Sequence, residues 1–253
     1  MNVVQVRNLV FGEGRPKICV PIVGRTREEI RKQMGTAKAS GADLAEWRAD
    51  WYEGTGDPEK LAEILEDLRE GLGEFPLLVT FRSAGEGGEQ EISAEAYETF
   101  LWQVLDLGKA DLLDVEFFMG EKLLSRVCRK ARGQGVKVVA SSHDFQKTPP
   151  REEMLERLKR MQEAGADLLK IAVMPGDPGD VLTLLSVSWE MKSRYARQPL
   201  IAISMGALGT VSRISGEIFG SAMTFGTAGQ ASAPGQISVE ELQEVHRVIG
   251  RKR

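Results

Sequence analysis

Histidine and cysteine are almost missing from this chain: His143 and His246, Cys19 and Cys128, in 253 residues. Two cysteines cannot build a disulfide framework, so both thiols read as core residues of a protein from a reducing cytoplasm. With so few histidines and cysteines, no zinc-ligand spacing exists. No apolar run approaches the ~20 residues of a membrane span, and the N-terminus lacks a secretory signal pattern. Nor does one sign of charge prevail. The 33 basic and 37 acidic residues leave a net charge of -4, which argues against nucleic acid as the main partner. Glycine, by contrast, is abundant: 27 residues, about 11 % against a usual ~7 %. Apolar residues make up 42 %, enough at this length to bury a large core without staples.

Those apolar residues fall into short runs, each followed by a helix-like segment. Strands are expected near 18–23, 43–48, 76–82 and 111–117, then near 136–142, 167–173, 199–204 and 221–226. Their starts lie 25, 33, 35, 25, 31, 32 and 22 residues apart, the length of one βα unit repeated. Asp57-Pro58 is an N-cap with proline at the first helical position, and Leu61, Ile64, Leu65 and Leu68 form a stripe that Gly71 ends. Thr148-Pro149 opens another helix, with Leu155, Leu158 and Met161 inward and Gly165 as its stop. Ser238 and Glu241 make a capping box for the last one. Ala-Asp-Leu recurs at 42–44, 110–112 and 166–168, each time just after a helix.

Eight such units predict an α/β fold, a (β/α)8 TIM barrel of parallel strands. An open doubly wound sheet is the alternative, but Val23-Gly24-Arg25-Thr26 after the first strand is not a phosphate fingerprint. Residues 1–10 read as an extra strand, in an N-terminal β-hairpin with 11–17 covering one barrel end. No linker divides the chain, so residues 1–253 are expected as one catalytic domain.

Buried parallel strands should be nearly continuous apolar runs. Several here are interrupted late by ionisable residues: Glu46 and Arg48, Arg82, Asp114 and Glu116, Lys170. His143 follows the fifth strand directly. Residues two apart share a face, and strand C-termini form the mouth where barrels place their chemistry. The set reads as an active site or as ion pairs that fix strand register. Lys170 is flanked by aliphatic residues, and desolvation there would free its amine to attack a carbonyl. Pairing with a carboxylate such as Glu116 is the other option. His143 could move protons near neutral pH, or be a loop histidine bonded to backbone. His246 shares the apolar arc of the last helix with Val239, Leu242, Val245 and Ile249, and reads as packing.

Two glycine-rich stretches frame the mouth, residues 83–89 after the third strand and 225–236 after the eighth. The second suits a phosphate cradle or a hinged lid, and either stretch could be a plain flexible loop. Asp114 and Glu116 could hold magnesium with other oxygens, though the lysine-rich mouth disfavours it. Trp189, Met191 and Tyr195 near the sixth helix are candidate surface anchors or ordinary packing.

Taken together, these segments resemble the type I 3-dehydroquinases of the shikimate pathway, from Lys17 to Gln236 and beyond. The resemblance rests on Leu44-Ala45-Glu46-Trp47-Arg48-Ala49-Asp50, Thr80-Phe81-Arg82-Ser83 and Glu86-Gly87-Gly88-Glu89. It continues through Ser142-His143-Asp144-Phe145, Lys170-Ile171-Ala172-Val173-Met174-Pro175 and Ser232-Ala233-Pro234-Gly235-Gln236. Each motif alone is weak. Six in this order are specific.

The resemblance implies dehydration of 3-dehydroquinate to 3-dehydroshikimate by syn elimination through a Schiff base. Lys170 matches the lysine that forms the imine with the substrate C3 ketone. His143 matches the histidine that takes the C2 proton and later protonates the departing C1 hydroxyl, and Glu86 matches the glutamate that orients it. Glu46, Arg48 and Arg82 match residues that contact the substrate hydroxyls and shape the charge around the imine. Arg213 matches the arginine that binds the substrate carboxylate, helped by Ser232 and Gln236 from the strand-eight lid. Phe145, Met205 and Phe225 match apolar pocket walls. The resemblance implies no cofactor and no metal, and it suggests a homodimer. This chain departs from the family pattern at Pro21, Gly85 and Gly229, positions that bear on affinity and loop motion.

A class I aldolase barrel also uses a strand-six lysine imine, but Arg213 and the strand-eight loop suit a carboxylate better than a phosphorylated sugar. An inactive barrel serving as a binding module would show losses at the mouth, where Glu86, His143 and Lys170 are intact.

Overall fold

The computed structural model describes residues 2–229 and 234–250. A short pair, β1 (Val4–Val6) and β2 (Leu9–Phe11), precedes a run of alternating strands and helices. It begins β3 (Lys17–Ile22), α1 (Arg27–Ala39), β4 (Leu44–Arg48), α2 (Pro58–Leu72), β5 (Leu77–Thr80) and α3 (Ala94–Leu107). Next come β6 (Leu112–Glu116), α4 (Glu121–Gln134), β7 (Lys137–Asp144), α5 (Arg151–Glu163), β8 (Leu168–Val173) and α6 (Pro178–Glu190). The run ends with β9 (Leu200–Ser204), α7 (Thr210–Ile214), α8 (Gly216–Phe219), β10 (Met223–Thr227), β11 (Ile237–Ser238) and α9 (Val239–Gly250).

Strands β3 to β9 pair in sequence, all parallel, and β10 pairs back onto β3. The ring closes where Leu200 bridges Ser221 and the Ala222 amide donates to the Leu200 carbonyl at 2.7 Å. This is the expected (β/α)8 barrel. Strand alternation sorts its core into two layers. Outward residues such as Ile18, Val79, Val115, Ala140, Ile171 and Leu200 pack under the helices. At the strand N-termini, the inward residues Leu44, Leu78, Leu112, Val139, Leu168 and Ile201 form an apolar floor. Val4, Val6 and Phe11 of the hairpin cap that floor from outside, so one barrel end is covered as expected.

The hairpin is tighter than the sequence suggests. Its strands both lie within residues 4–11, not 1–10 against 11–17, because Arg7 at φ 50° turns the chain back after Val6. Arg7 then anchors the turn to the barrel base through Asp111 and Glu74, each at 2.6 Å. Helix α2 passes Gly71 and stops at Gly73, whose φ is 59°. Gly71 serves a different need: a Cβ there would sit 2.1 Å from Met34 Cε on α1, so glycine permits the two helices to approach. Helix α5 starts at Arg151, three residues later than Thr148, after two prolines. The capping box of Ser238 and Glu241 forms, with bonds of 3.0 and 3.2 Å. Cys19 and Cys128 are buried and free. Met191 is fully buried, which removes it from the surface anchors, while Trp189 and Tyr195 remain exposed. Among the described residues no helix is long and apolar enough to cross a membrane.

Candidate active site

Above the apolar floor the inward face changes character. The strand register sets Glu46 two residues beyond Leu44, Asp114 beyond Leu112, Ser141 beyond Val139 and Lys170 beyond Leu168. One step further up stand Arg48, Arg82, Glu116 and His143. Strand β7 runs through Asp144, so His143 is a strand residue aimed inward and not the start of a loop. Arg82 lies past the end of β5.

Arg82 is the hub of this layer. One terminal nitrogen donates to Glu116 at 2.8 Å and Ser141 at 3.0 Å, with Glu86 at 3.4 Å; the other donates to Asp114 at 2.8 Å. Burial alone would weaken its hold on the proton, but Asp114 and Glu116 outweigh that and keep the guanidinium firmly charged. Glu116 is fully used: it also accepts from the Ser83 amide and hydroxyl at 2.9 and 2.7 Å. Asp114 and Glu116, readable in the sequence as magnesium ligands, are thus committed to a cation the chain already carries. Among the described residues no cluster of three or more His, Cys, Asp or Glu could hold a metal ion.

Glu86 reaches the barrel on a tight turn, residues 84–86, closed by the Gly88 amide on the Ser83 carbonyl at 2.9 Å. A Cβ at Gly88 would lie 1.8 Å from the Arg82 carbonyl, and Gly87 has φ 84°. These glycines therefore build a fixed corner, where a merely flexible loop was one expectation. Glu86 Oε2 accepts from the His143 amide at 3.0 Å and lies 2.8 Å from His143 Nδ1. The amide bond makes Oε2 an acceptor, and a ring proton on Nδ1 gives it a second donor and leaves Nε2 as the basic nitrogen. Burial, together with Arg82, Lys170 and Arg48, holds His143 well below the usual histidine range. Burial beside Glu116 and Asp114 lifts the Glu86 carboxyl to about 8, against the pull of Arg82.

Lys170 is nearly inaccessible, and burial lowers its pKa despite Asp114 and Glu46. Its nearest carboxylate is Asp114 at 3.8 Å, not Glu116, and Asp114 Oδ2 makes no hydrogen bond. The Nζ sits 4.4 Å from the Phe225 ring centroid. It is a weakly paired amine under an aromatic roof.

Arg213 comes from the short helix α7. It is 2 % exposed and donates to the Pro234 carbonyl at 2.8 Å, and among the described residues its Nε has no partner. With burial as its cause, its pKa falls to about 10. Among the described residues no carboxylate pairs with this buried cation, so its charge is left without a counter-ion there.

Many of these groups border one cleft of about 470 Å³ including its open mouth, while Asp114, Glu116 and Ser141 stand behind its wall. Glu46, Arg48, Arg82, Glu86, His143 and Lys170 line it, as do the expected Phe145, Met205, Phe225, Arg213 and Gln236. Ser232 lies outside the described residues. Ala172 and Ile203 complete the wall and were not singled out from the sequence.

A model of the type I 3-dehydroquinase family matches residues 18–253. The chain belongs to the type I 3-dehydroquinases. The 3-dehydroquinate dehydratase of Clostridium novyi is 47 % identical, aligned over 98 % of each chain. That of Clostridioides difficile is 50 % identical over 97 % of this chain and 96 % of its own. A crystal structure of the type I 3-dehydroquinate dehydratase from Clostridium difficile, with covalently modified comenic acid, superimposes with a TM-score of 0.96. It is 48 % identical, covering 100 % of this chain and 99 % of that one.

Sequence reasoning about this 3-dehydroquinase missed the residues that hold the ionisable ones. Asp50, fully buried, accepts both arms of Arg48 at 2.8 and 2.7 Å, and also the amides of Arg82 and Glu89. The Tyr97 hydroxyl accepts from the Glu116 amide at 2.9 Å. Asp50 lay inside a recognised motif and could have been found there. Tyr97 gave no signal beyond its place on an apolar helix stripe.

Proposed function

We propose that this type I 3-dehydroquinase dehydrates 3-dehydroquinate to 3-dehydroshikimate by syn elimination through a Schiff base on Lys170, as a step of the shikimate pathway. The observation that carries the reading is one cleft holding a weakly paired lysine, a histidine held through Nδ1 by Glu86 and an arginine with no carboxylate partner among the described residues.

The Lys170 amine adds to the C3 carbonyl, water leaves, and a protonated imine forms. That cation beside C2 is an electron sink, so the C2 proton departs far more readily than from the ketone. His143 Nε2 takes it, and Glu86 stabilises the resulting imidazolium while fixing the ring. The electrons return from the enamine to expel the C1 hydroxyl, which His143 protonates as water. Hydrolysis of the imine then frees the product and Lys170. One histidine serves both steps because syn elimination puts proton and hydroxyl on the same face. Arg213 binds the substrate carboxylate through its planar fork, with Ser232 and Gln236. Glu46, Arg48 and Arg82 meet the substrate hydroxyls and tune the field at the imine, and Phe145, Met205 and Phe225 form the apolar walls. The steps need no cofactor or metal.

Borohydride added with 3-dehydroquinate should trap an adduct that mass mapping assigns to Lys170. Full turnover by Lys170→Ala, or an adduct elsewhere, would sink the mechanism. His143→Ala should form the imine slowly and eliminate poorly.

The same proposal takes residues 1–253 as one catalytic domain, working in the cytoplasm on a small molecule without nucleic acid or membrane. It assembles as a homodimer. Exposed Leu182 and Trp189, seven residues apart on one face of α6, favour pairing with a second copy. Light scattering at twice the monomer mass would support this, and a monomer would refute it.

A further inference from the structure

We propose that Arg157, on the outer side of the barrel, is a positioning residue for His143 and acts through Ser142. The proposal rests on the reading above that His143 moves the proton.

Strand β7 carries three hydroxyl- or imidazole-bearing residues in a row. Ser141 faces inward, bonded to Asp114 at 2.6 Å and to Arg82. His143 faces inward too, held by Glu86. Ser142, between them, faces the helices, where its strand neighbours Val138 and Ala140 belong to the apolar outer core. It is completely buried, and its hydroxyl accepts from Arg157 Nη1 at 2.8 Å.

Arg157 belongs to α5 and is itself only 8 % exposed. Its other arm donates to Glu153 at 2.6 Å, one turn back on the same helix. Its guanidinium carbon lies 4.7 Å from the Phe118 ring centroid, on the turn that follows β6. One side chain therefore ties together α5, β7 and the end of β6.

Stability does not explain this arrangement. A buried guanidinium and a hydroxyl must both be desolvated, and an aliphatic pair of similar volume would fill the gap at no such cost. What the polar pair adds is direction. The ladders to β6 and β8 fix the register of β7, and the 2.8 Å hydrogen bond adds a directional hold on the residue before His143 that an apolar contact would not. His143 needs that precision, because its amide and its ring nitrogen must both meet the same Glu86 oxygen. A small shift of β7 would spoil both bonds and re-aim Nε2.

Arg157→Met should lower kcat roughly tenfold with KM within about twofold, and should move the acid limb of the kcat profile. Arg157→Lys, which keeps one donor, should recover most of the loss. Ser142→Ala should show the same defect, and the double variant no more than either single one. Glu153→Gln, which alters only the outer partner, should behave as wild type. Thermal unfolding run in parallel separates a folded, slow enzyme from an unfolded one; if Arg157→Met fails to fold, Ser142→Ala carries the test. Folded Ser142→Ala and Arg157→Met with unchanged kcat and pH profile would overturn the proposal. His143→Ala serves as the reference: if it eliminates normally, the assignment of His143 falls and this proposal with it. If His143→Ala loses elimination while Ser142→Ala keeps it, only the proposal fails.

Discussion

Replacing Arg213 by methionine should make the empty protein more stable and the enzyme worse. Arg213 is 2 % exposed, and among the described residues it has one bond, to the Pro234 carbonyl, and an unpartnered Nε. Burial brings its pKa from 12.5 to about 10. At ~1.36 kcal/mol per pH unit, that drop corresponds to about 3 kcal/mol held against the folded state. The sign follows from the direction: a cation that gives up its proton more easily when folded is one the fold disfavours. Methionine has similar length and no charge, so it removes that cost. The variant loses the bond to Pro234, worth about 1 kcal/mol, leaving a net gain of about 2 kcal/mol. For a chain of this size that raises the melting temperature by about 4–8 °C in calorimetry at neutral pH. The same change should raise KM for the substrate by about 100-fold, the loss of a charge-assisted pair. A variant that melts at or below the wild-type temperature, or keeps its KM, would refute the view of Arg213 as a strained anion site.

Because burial and the flanking cations hold His143 well below 6.5, its imidazole followed by NMR should stay neutral as pH falls through 6.5 and gain its proton only below it. An imidazole of His143 that titrates at or above 6.5 would contradict the neutral-base assignment. Phe11→Ala should destabilise the protein by about 3–4 kcal/mol in urea unfolding, since a fully buried ring leaves the barrel floor. Its kcat in the folded fraction should hardly change, because the floor lies a full layer below Lys170. Gly88→Ala should fare worse on both counts: the new methyl meets the Arg82 carbonyl and must displace the corner that carries Glu86. Wild-type activity from that variant would show that the corner is looser than its geometry indicates.

Much of the barrel was legible because its period is long and its punctuation strong. Eight apolar runs at βα spacing, with Asp57-Pro58 and the Ser238–Glu241 box between them, leave few other folds. Errors came where tertiary contact outranks local signal. Gly71 looks like a helix stop, yet α2 runs through it to Gly73 and the Met34 side chain of α1 packs against it. The hairpin was misplaced because an apolar run hides a turn that Arg7 makes at positive φ. At the site, charged residues late in strands announced themselves, since parallel strands should be apolar. Their supports did not. Ser141, Ser142 and Arg157 are ordinary residues whose importance comes from what faces them across the barrel wall, and no spacing in one chain records that.

The sealed floor has a consequence for traffic. Since Phe11, Val4 and Val6 stopper the far end, the cleft is a cul-de-sac. Substrate, product and the water of dehydration all share one doorway. Each must queue behind the others, so product lingering at the threshold shuts out the next substrate molecule.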